Sequence, residues 1–447
     1  MRRGAPDPVP APVRRGWWLV YRGAMGQREA PDPALRALVD TCVHCGFCLP
    51  TCPTYQLWGQ EMDSPRGRIQ LIKLGLEGAP LTGTTVTHLD RCLGCMACVT
   101  SCPSGVRYDR LITAKRAEVE SEYRRSRAER VLRTAIFGLF PYPRRLRALR
   151  GPLRLAQAAR LDRAIGGRWP GRVMPRLATM AGLAPRPGRH RRLPARVPAA
   201  GPRRAVVGML LGCVQRELFP QVNAATVRVL AAEGCELVIP PRQGCCGALS
   251  LHAGRRAEAT RFARRTAATF QRAGVDVVVV NAAGCGSAMK EYPELGVAGL
   301  AGRVRDLSEW LVELGPVAPR HPVPATVAYH DACHLSHAQG IRDQPRRLLA
   351  EIPELAVREI ADPELCCGSA GVYNLLQPGP AGQLGDRKAA GVAATGAELL
   401  VTANPGCAMQ IAAAARRAGR SLPVAHLAEV LDFSIQGAGR AKLATLR

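Results

Sequence analysis

Acidic residues are scarce in this 447-residue chain: 35 Asp and Glu stand against 62 Lys and Arg, a formal charge of +27. That imbalance excludes an acidic or neutral surface and favours anionic partners. Aromatics are also few, with 7 Phe, 5 Trp and 8 Tyr. No stacking platform or nucleic-acid motif accompanies the basic charge, so nucleic acid is not an expected partner. Long apolar runs are missing too. The longest early stretch, Trp17 to Tyr21, falls far short of the roughly 18 residues that span a bilayer. It is closely followed by Arg22 and is too short for a secretory core. Nor does any G-x-G-x-x-G follow a strand-like run and open a helix, which removes the dinucleotide fingerprint. Without an export signal the expected compartment is the reducing cytoplasm, where thiols serve as metal ligands or redox groups more often than as structural bridges.

Thiols are what the chain has in abundance. Its 17 cysteines run from Cys42 to Cys407, too widely spread for a small disulfide-stapled scaffold, and 447 residues suffice for two or three cores. The sharpest pattern is Cys42-Val-His-Cys45-Gly-Phe-Cys48-Leu-Pro-Thr-Cys52-Pro53, followed by Cys92-Leu-Gly-Cys95-Met-Ala-Cys98-Val-Thr-Ser-Cys102-Pro103. Both fit C-x2-C-x2-C-x3-C-P. Three close cysteines wrap one face of an iron–sulfur cubane, and the fourth reaches the neighbouring cluster. The expected ligation therefore crosses over. Cys42, Cys45, Cys48 and Cys102 hold one [4Fe–4S] cluster, and Cys52, Cys92, Cys95 and Cys98 hold the other. A zinc ribbon is the competing reading of a C-x2-C pair, but a single zinc ion has no use for the longer run ended by Pro. Gly46, Gly94 and Ala97 are read as small residues that let backbone N–H groups approach the sulfides. Between the motifs, Asp63 or Ser64 caps a helix with Pro65 at its first position and Ile69, Ile72 and Leu76 on one face. With a further helix over Arg110 to Glu118, the module is expected to be α-helical rather than a compact β-hairpin ferredoxin. Arg66 and Arg68 are read as solvated or structural, ahead of a role in tuning the clusters.

Composition divides the rest. Residues 1–32 read as a flexible extension and 33–118 as the dicluster domain. Residues 119–204 form an Arg-rich helical segment and linker; over 121–204 there are 22 Arg, three acids and no Cys. Helix is expected over Ala135 to Phe140 and Leu153 to Ile165, and linker over Gly166 to Arg204. Anionic membrane or an acidic partner subunit fits this charge better than nucleic acid. From Ala205 onward, apolar runs alternate with helical stretches, the signature of a parallel sheet covered on both faces. Strands are expected at 205–211, 236–239, 275–280, 326–329, 355–360 and 398–402.

The cysteines reveal a duplication there. Cys213, Cys245, Cys246 and Cys285 are separated by 32, 1 and 39 positions; Cys333, Cys366, Cys367 and Cys407 are separated by 33, 1 and 40. Two α/β units are expected, at 205–320 and 321–435, so the fold class is α+β: an α-helical ferredoxin-like dicluster domain followed by two homologous α/β units. Each unit places its outer cysteines at strand ends, where ligands collect in parallel sheets. Adjacent cysteines suit separate irons of a larger cluster better than one small ion, and the Gly after each pair gives backbone freedom beside it.

The double ferredoxin motif followed by two CCG units resembles the glycolate oxidase iron–sulfur subunit family over roughly 33–435. Asp63-Ser-Pro-Arg-Gly-Arg68, His88-Leu-Asp-Arg-Cys92, Cys102-Pro-Ser-Gly-Val-Arg107, Asn281-Ala-Ala-Gly-Cys285-Gly, Tyr329-His-Asp-Ala-Cys-His334 and Cys366-Cys-Gly-Ser-Ala-Gly-Val-Tyr-Asn374 carry the resemblance. It implies an electron-transfer subunit of an oxidoreductase complex. Flavoprotein subunits carrying FAD would oxidise glycolate, with D-lactate as a second substrate, to the oxo acid. This chain would pass electrons to a respiratory acceptor, expected to be quinone, from a peripheral position on the cytoplasmic face of the inner membrane. The alternative is an anaerobic glycerol-3-phosphate dehydrogenase-type or heterodisulfide reductase-type subunit whose CCG units carry the terminal redox chemistry. In the latter type each unit ends in C-x2-C, giving five thiols. Here Cys285-Gly-Ser-Ala288 and Cys407-Ala-Met-Gln410 lack the fifth. Additional iron–sulfur, a thiol redox or zinc site, and a folding remnant all stay open at Cys213, Cys245, Cys246 and Cys285 and at Cys333, Cys366, Cys367 and Cys407.

Among the remaining candidates, His330, His334 and His337 flank Cys333 and are read as capping or cluster-hydrogen-bonding groups ahead of metal ligands. Cys235 has no counterpart in the second unit and is expected to be a buried inert thiol. Trp17 and Trp18, beside Arg14, Arg15 and Arg22, are read as a docking or disordered segment ahead of a membrane contact.

Overall fold

The computed structural model describes residues 33–160, 175–185 and 192–437. The expectations for the 1–32 extension, for Trp17 and Trp18, and for helix over 161–165 lie outside those residues.

The cysteine motifs at the front are joined by helices alone. Pro33–Asp40 precedes the first motif, Pro53–Trp58 and Pro65–Leu76 follow it, and Gly83–Arg91 and Tyr108–Glu122 bracket the second. Ser64 caps the 65–76 helix by accepting from the Gly67 N–H at 3.0 Å, and Pro65 occupies its first turn, where a missing N–H costs nothing. Ile69 and Ile72 are buried against Leu89, Leu111 and Ile112. The module is helical, as its apolar spacing requires.

The two C-terminal units share a plan. In the first, β2 (Ala205–Leu210), β3 (Cys235–Val238), β4 (Val277–Val280) and β5 (Val304–Asp306) pair in the order β3-β2-β4-β5, all parallel. In the second, β6 (Ala325–His330), β7 (Leu355–Glu359), β8 (Leu399–Thr402) and β9 (Val424–Ala425) pair in the equivalent order β7-β6-β8-β9, also parallel. Val277 to Val280 are buried without alternation, which is what coverage of both sheet faces demands. The short strands β5 and β9 were not expected from the sequence. Each leads into a helix with a capping box: Asp306 with Glu309, and His426 with Glu429.

Those last helices tie the units together. Leu427–Ile435 of the second unit packs on Pro220–Ala232 of the first, and Leu307–Leu314 of the first packs on Asp343–Ala350 of the second. Val207, Val279 and Leu311 consequently share one core with Val327, Val401 and Leu431. An Arg228–Asp432 ion pair of 2.6 Å crosses the same seam.

In the Arg-rich stretch, residues 166–174 and 186–191 of the expected linker over Gly166 to Arg204 lie outside the described residues, and the described part of that linker carries one helix and one short strand. Helices span Arg127–Leu139, Pro143–Ala158 and Pro175–Leu183, and β1 (Arg196–Val197) adds antiparallel to the edge of β3. Much of its charge is used internally. Arg125 pairs with Asp90 and Glu129 at 2.7 Å each, and Arg147 pairs with buried Glu217 at 2.9 Å. Ile136 and Phe137 pack on Val372 and Leu375 of the second unit, with Met180 and Leu183 against the same cluster. This stretch is a strap across the protein, and its arginines hold it in place as well as facing solvent.

Candidate functional site

Both ferredoxin motifs adopt one local conformation. Two and four residues after the first cysteine, the chain enters the left-handed region: His44 and Gly46 at φ 55° and 91°, Gly94 and Met96 at 66° and 65°. Such alternation turns successive N–H groups into one concavity suited to anions such as cluster sulfides. Gly46 and Gly94, read as small residues that let N–H groups approach, hold two of the four positions, and His44 and Met96 hold the others. At Gly46 an added Cβ would lie 3.0 Å from an Arg66 guanidinium nitrogen, so this glycine answers both to its φ and to a close approach.

A single cavity is lined by Cys42, Cys45, Cys48 and Cys102, together with Cys98. The first four are the crossed set expected from spacing, and the fifth borders it from the other set. Cys52, Cys92 and Cys95 are buried. Burial pushes the thiols of Cys48, Cys95 and Cys98 up, most strongly for Cys95 and Cys98. Cys92 goes the other way. Burial raises it, but the charges of Arg68 and Arg116, a Tyr108 hydroxyl at 3.6 Å and the Gly94 N–H at 3.4 Å bring it below an ordinary thiol. A thiol held toward its thiolate form is the form a metal binds.

Arg68 is the hub of this arrangement. It is 1 % exposed, so of the two readings, solvated or structural, it takes the structural one. It donates to His88 O at 2.7 Å, to Thr54 Oγ1 at 3.1 Å and to Asp63 Oδ1 at 3.3 Å. Thr54 Oγ1 lies 3.3 Å from Cys52 Sγ, and fully buried Asp63 also binds His88 and Arg91. One guanidinium thus links the tail of the first motif to the head of the second. Arg116 donates to the carbonyls of Cys92 and His252. Neither Arg116 nor Tyr108 was singled out from the sequence; both lie on the helix after Cys102, whose only available signal was its distance from that cysteine.

In each CCG unit the four cysteines come from three neighbouring strands, at their carboxyl ends around the point where the winding reverses. Cys213 follows β2, Cys245 and Cys246 follow β3, and Cys285 follows β4. The Cys213 and Cys245 sulfurs are 3.6 Å apart, Cys245 touches Cys246, and Cys246 touches Cys285. Likewise Cys333 contacts Cys366, Cys366 contacts Cys367, and Cys367 contacts Cys407. The glycines after the pairs are obligatory. Gly247 and Gly368 have φ of 94° and 86°, and a Cβ at Gly368 would sit 2.6 Å from Ala381 O. Cys235 stands apart in the shared core, fully buried, with burial raising its thiol.

The histidines separate rather than form a helical pair. His330 ends β6 and faces Cys367 and Cys407, with one donor atom of each within 4.8 Å of the others. His334 lies 3.5 Å from Cys333 Sγ and stacks edge-on with His252. His337 reaches back to the ferredoxin module, with Nδ1 2.8 Å from Thr100 Oγ1.

The second unit abuts the second motif. Cys333 and Cys366 share an apolar cluster with Leu93, Cys95 and Ala97. Beside that contact is a cavity of about 290 Å³ bordered by Cys92, Arg116, His252, His334 and Tyr373. Into this region the buried atoms His252 Nε2, His334 Nε2 and Tyr373 Oη bring no hydrogen-bond partner. In the first motif, Cys45 is exposed between Val43 and Phe47, which are 68 % and 65 % exposed.

Comparison with known proteins agrees with this anatomy. A 4Fe-4S dicluster domain model matches residues 38–106, a cysteine-rich CCG domain model matches 207–290 and again 327–412, and a model of the linker region of glycolate oxidase iron–sulfur subunits matches 128–184. A probable glycolate oxidase iron–sulfur subunit of Bacillus subtilis is 38 % identical over 412 residues, covering 87 % of this chain and 92 % of the relative. The Escherichia coli glycolate oxidase iron–sulfur subunit is 36 % identical over 426 residues, covering 91 % and 95 %. A lactate utilization protein A of Exiguobacterium is 30 % identical over 244 residues, 52 % of this chain and 99 % of that one. In fold, the chain is similar to the crystal structure of a hypothetical protein from Helicobacter pylori, with a TM-score of 0.51 at 9 % identity over 96 % of this chain and 77 % of the other. These relatives support an iron–sulfur electron-transfer subunit of an oxidoreductase complex. Among the described residues no helix is long and apolar enough to cross a membrane.

Proposed function

Because the chain belongs to the family of glycolate oxidase iron–sulfur subunits, we propose that it relays electrons from FAD-bearing subunits oxidising glycolate, and D-lactate as a second substrate, to a quinone of the respiratory chain. Two [4Fe–4S] clusters supply one-electron transfer when bound, a chemistry suited to splitting the electron pair of a flavin. Cys42, Cys45, Cys48 and Cys102 hold the first, and Cys52, Cys92, Cys95 and Cys98 the second. The carrying observation is the cavity that collects five thiols from both motifs, Cys98 and Cys102 beside the three of the first run.

Each end of the relay has its own surface. Val43 and Phe47, exposed around Cys45, form an apolar patch at the first cluster's edge, where a flavoprotein subunit docks. The cavity beside Cys92 sits between the second motif and the CCG units, and its unpartnered imidazole and phenol groups suit the carbonyl oxygens of a quinone. A formal charge of +27 supports peripheral contact with anionic lipid on the cytoplasmic face of the inner membrane. Arg68 and Arg116 offset the negative charge of the thiolates, and the apolar shell of Leu93 and Tyr373 limits water near them. Anaerobic purification with iron quantitation and EPR tests the reading. About eight or more irons per chain and two interacting cubane signals are expected; a colourless, zinc-loaded protein overturns it.

A further inference from the structure

The two CCG units share a topology but differ at one position next to their thiols. Three residues before its first cysteine, the first unit has Leu210, at the end of β2; the second has His330, at the end of β6. An apolar side chain in one unit has become an imidazole in the other, at a place where only 2 % of it is exposed.

That imidazole is arranged as a metal ligand. Its Nδ1 lies 3.1 Å from Thr402 Oγ1, at the end of the neighbouring strand β8. With Thr402 accepting from Nδ1–H, Nε2 keeps its lone pair, and the ring orientation is fixed by a partner that is not itself a ligand. Nε2 is buried and has no hydrogen-bond partner, a costly condition for a polar atom. The ring contacts Cys367, and a ring nitrogen lies with the sulfurs of Cys367 and Cys407 inside a 4.8 Å set, all three residues buried. Among the described residues this is the one group of three or more such donors that meets so closely. Asn404 Nδ2 donates to Cys407 Sγ at 3.3 Å and orients that ligand in turn.

We infer that the second CCG unit holds an iron–sulfur cluster through Cys333, Cys366, Cys367, Cys407 and His330, with the His330 imidazole on one iron. His330 supplies the fifth donor that Cys407-Ala-Met-Gln410 lacks. Five donors in contact exceed the four of a tetrahedral zinc site, and the adjacent pair Cys366-Cys367 suits neighbouring irons. The first unit, with Leu210 in the equivalent place, offers sulfur alone. A neutral imidazole in place of a thiolate leaves the centre one negative charge fewer and raises its reduction potential, as His-for-Cys replacement does in Rieske centres. Since Cys333 and Cys366 pack on Cys95, this centre stands next in line after the second ferredoxin motif. Its chemistry there is a single electron in and a single electron out, with no bond made and no proton moved. The direction of that transfer rests on the function proposed above; the ligation does not.

The full chain, reconstituted anaerobically with iron and sulfide and labelled with 15N-histidine, tests this by pulsed EPR and by redox titration. Wild type is expected to show a nitrogen hyperfine coupling that changes isotope with the label. His330→Cys is expected to retain its iron and both cubane signals, lose that coupling, and show a lower midpoint potential for one centre. Leu210→Ala, in the other unit, should leave the coupling in place. Absence of the coupling in wild type, an unchanged spectrum and potential in His330→Cys, or stoichiometric zinc at the unit each overturns the ligation. Loss of the cubane signals with the coupling intact would refute the dicluster reading while supporting this one.

Discussion

Replacing Arg68 by Met removes a buried positive charge while keeping most of the side chain's length. Two consequences can be worked out. Asp63, fully buried, loses one of its partners but keeps Arg91 at 2.8 Å and His88 at 3.0 Å. Breaking a buried pair typically costs about 3–5 kcal/mol, and the remaining partners place this case at the low end, about 3 kcal/mol. The second consequence is electronic. Arg68 Nη2 is 3.1 Å from Thr54 Oγ1, which is 3.3 Å from Cys52 Sγ. At roughly 6 Å and an effective dielectric constant of about 20, the charge is worth about 3 kcal/mol to an added electron. For a one-electron couple that corresponds to a fall in potential on the order of 100 mV. EPR-monitored redox titration of the anaerobic holoprotein reads it directly, and Arg68→Lys, which keeps the charge, should show less than half the shift. An Arg68→Met protein with full iron content and a potential within about 30 mV of wild type, a fraction of the expected shift, would refute the claim that this guanidinium sets the cluster's electrostatics.

Two further substitutions probe packing and docking. At Gly67 an added Cβ would sit 1.9 Å from Glu61 O and 2.6 Å from Glu61 C, so Gly67→Ala forces apart the turn that carries Asp63 and should lower stability by about 3 kcal/mol. Gly379→Ala, with nothing within 4 Å of the new carbon, is the control, and equal thermal midpoints for the two would contradict the clash. Phe47→Ser, at a side chain 65 % exposed, should leave iron content unchanged but weaken binding to the flavoprotein subunits about tenfold, the loss of roughly 1.5 kcal/mol of apolar burial. Undiminished affinity in a direct titration would remove the Val43–Phe47 patch from the interface.

The cysteine offsets made the duplicated architecture readable, because ligands at strand ends inherit the spacing of the strand–helix units between them. Val277 to Val280 read as a buried strand for the same kind of reason: a continuous apolar run has few alternatives inside a parallel sheet. The strands β5 and β9 are three and two residues long, too short for any period to register. Pattern also fails to say which sheet an amphipathic helix covers, so the exchange of Leu307–Leu314 and Leu427–Ile435 between the units was invisible. Arg68 could be read only as solvated or structural, because a helix's first turn normally faces water, and only the meeting of Thr54, Asp63 and His88 around it puts it inside. His44 and Met96 show the limit of reading glycines: of the four left-handed positions in the two motifs, only Gly46 and Gly94 carry the residue type that signals them.

Duplication also explains why the two CCG units should be read through their differences. Shared features, such as the positive-φ glycines after each cysteine pair and the thiol chains at the strand ends, follow from the common plan and say little about which unit works. The ferredoxin module breaks the symmetry. Its second motif packs Cys95 against Cys333 and Cys366, and His337 bonds to Thr100, whereas the first unit meets the module away from its own thiols, through an Arg110–Glu294 ion pair of 3.1 Å and through Arg116 donating to His252 O. The unit that has an imidazole at position 330 is therefore the one whose thiols lie against the dicluster domain, while the unit that has leucine at 210 contributes the wall bearing His252. Two independent differences, one in ligand chemistry and one in placement, fall on the same unit. That coincidence is what a relay needs, since a higher-potential centre draws electrons only from a donor close enough to supply them.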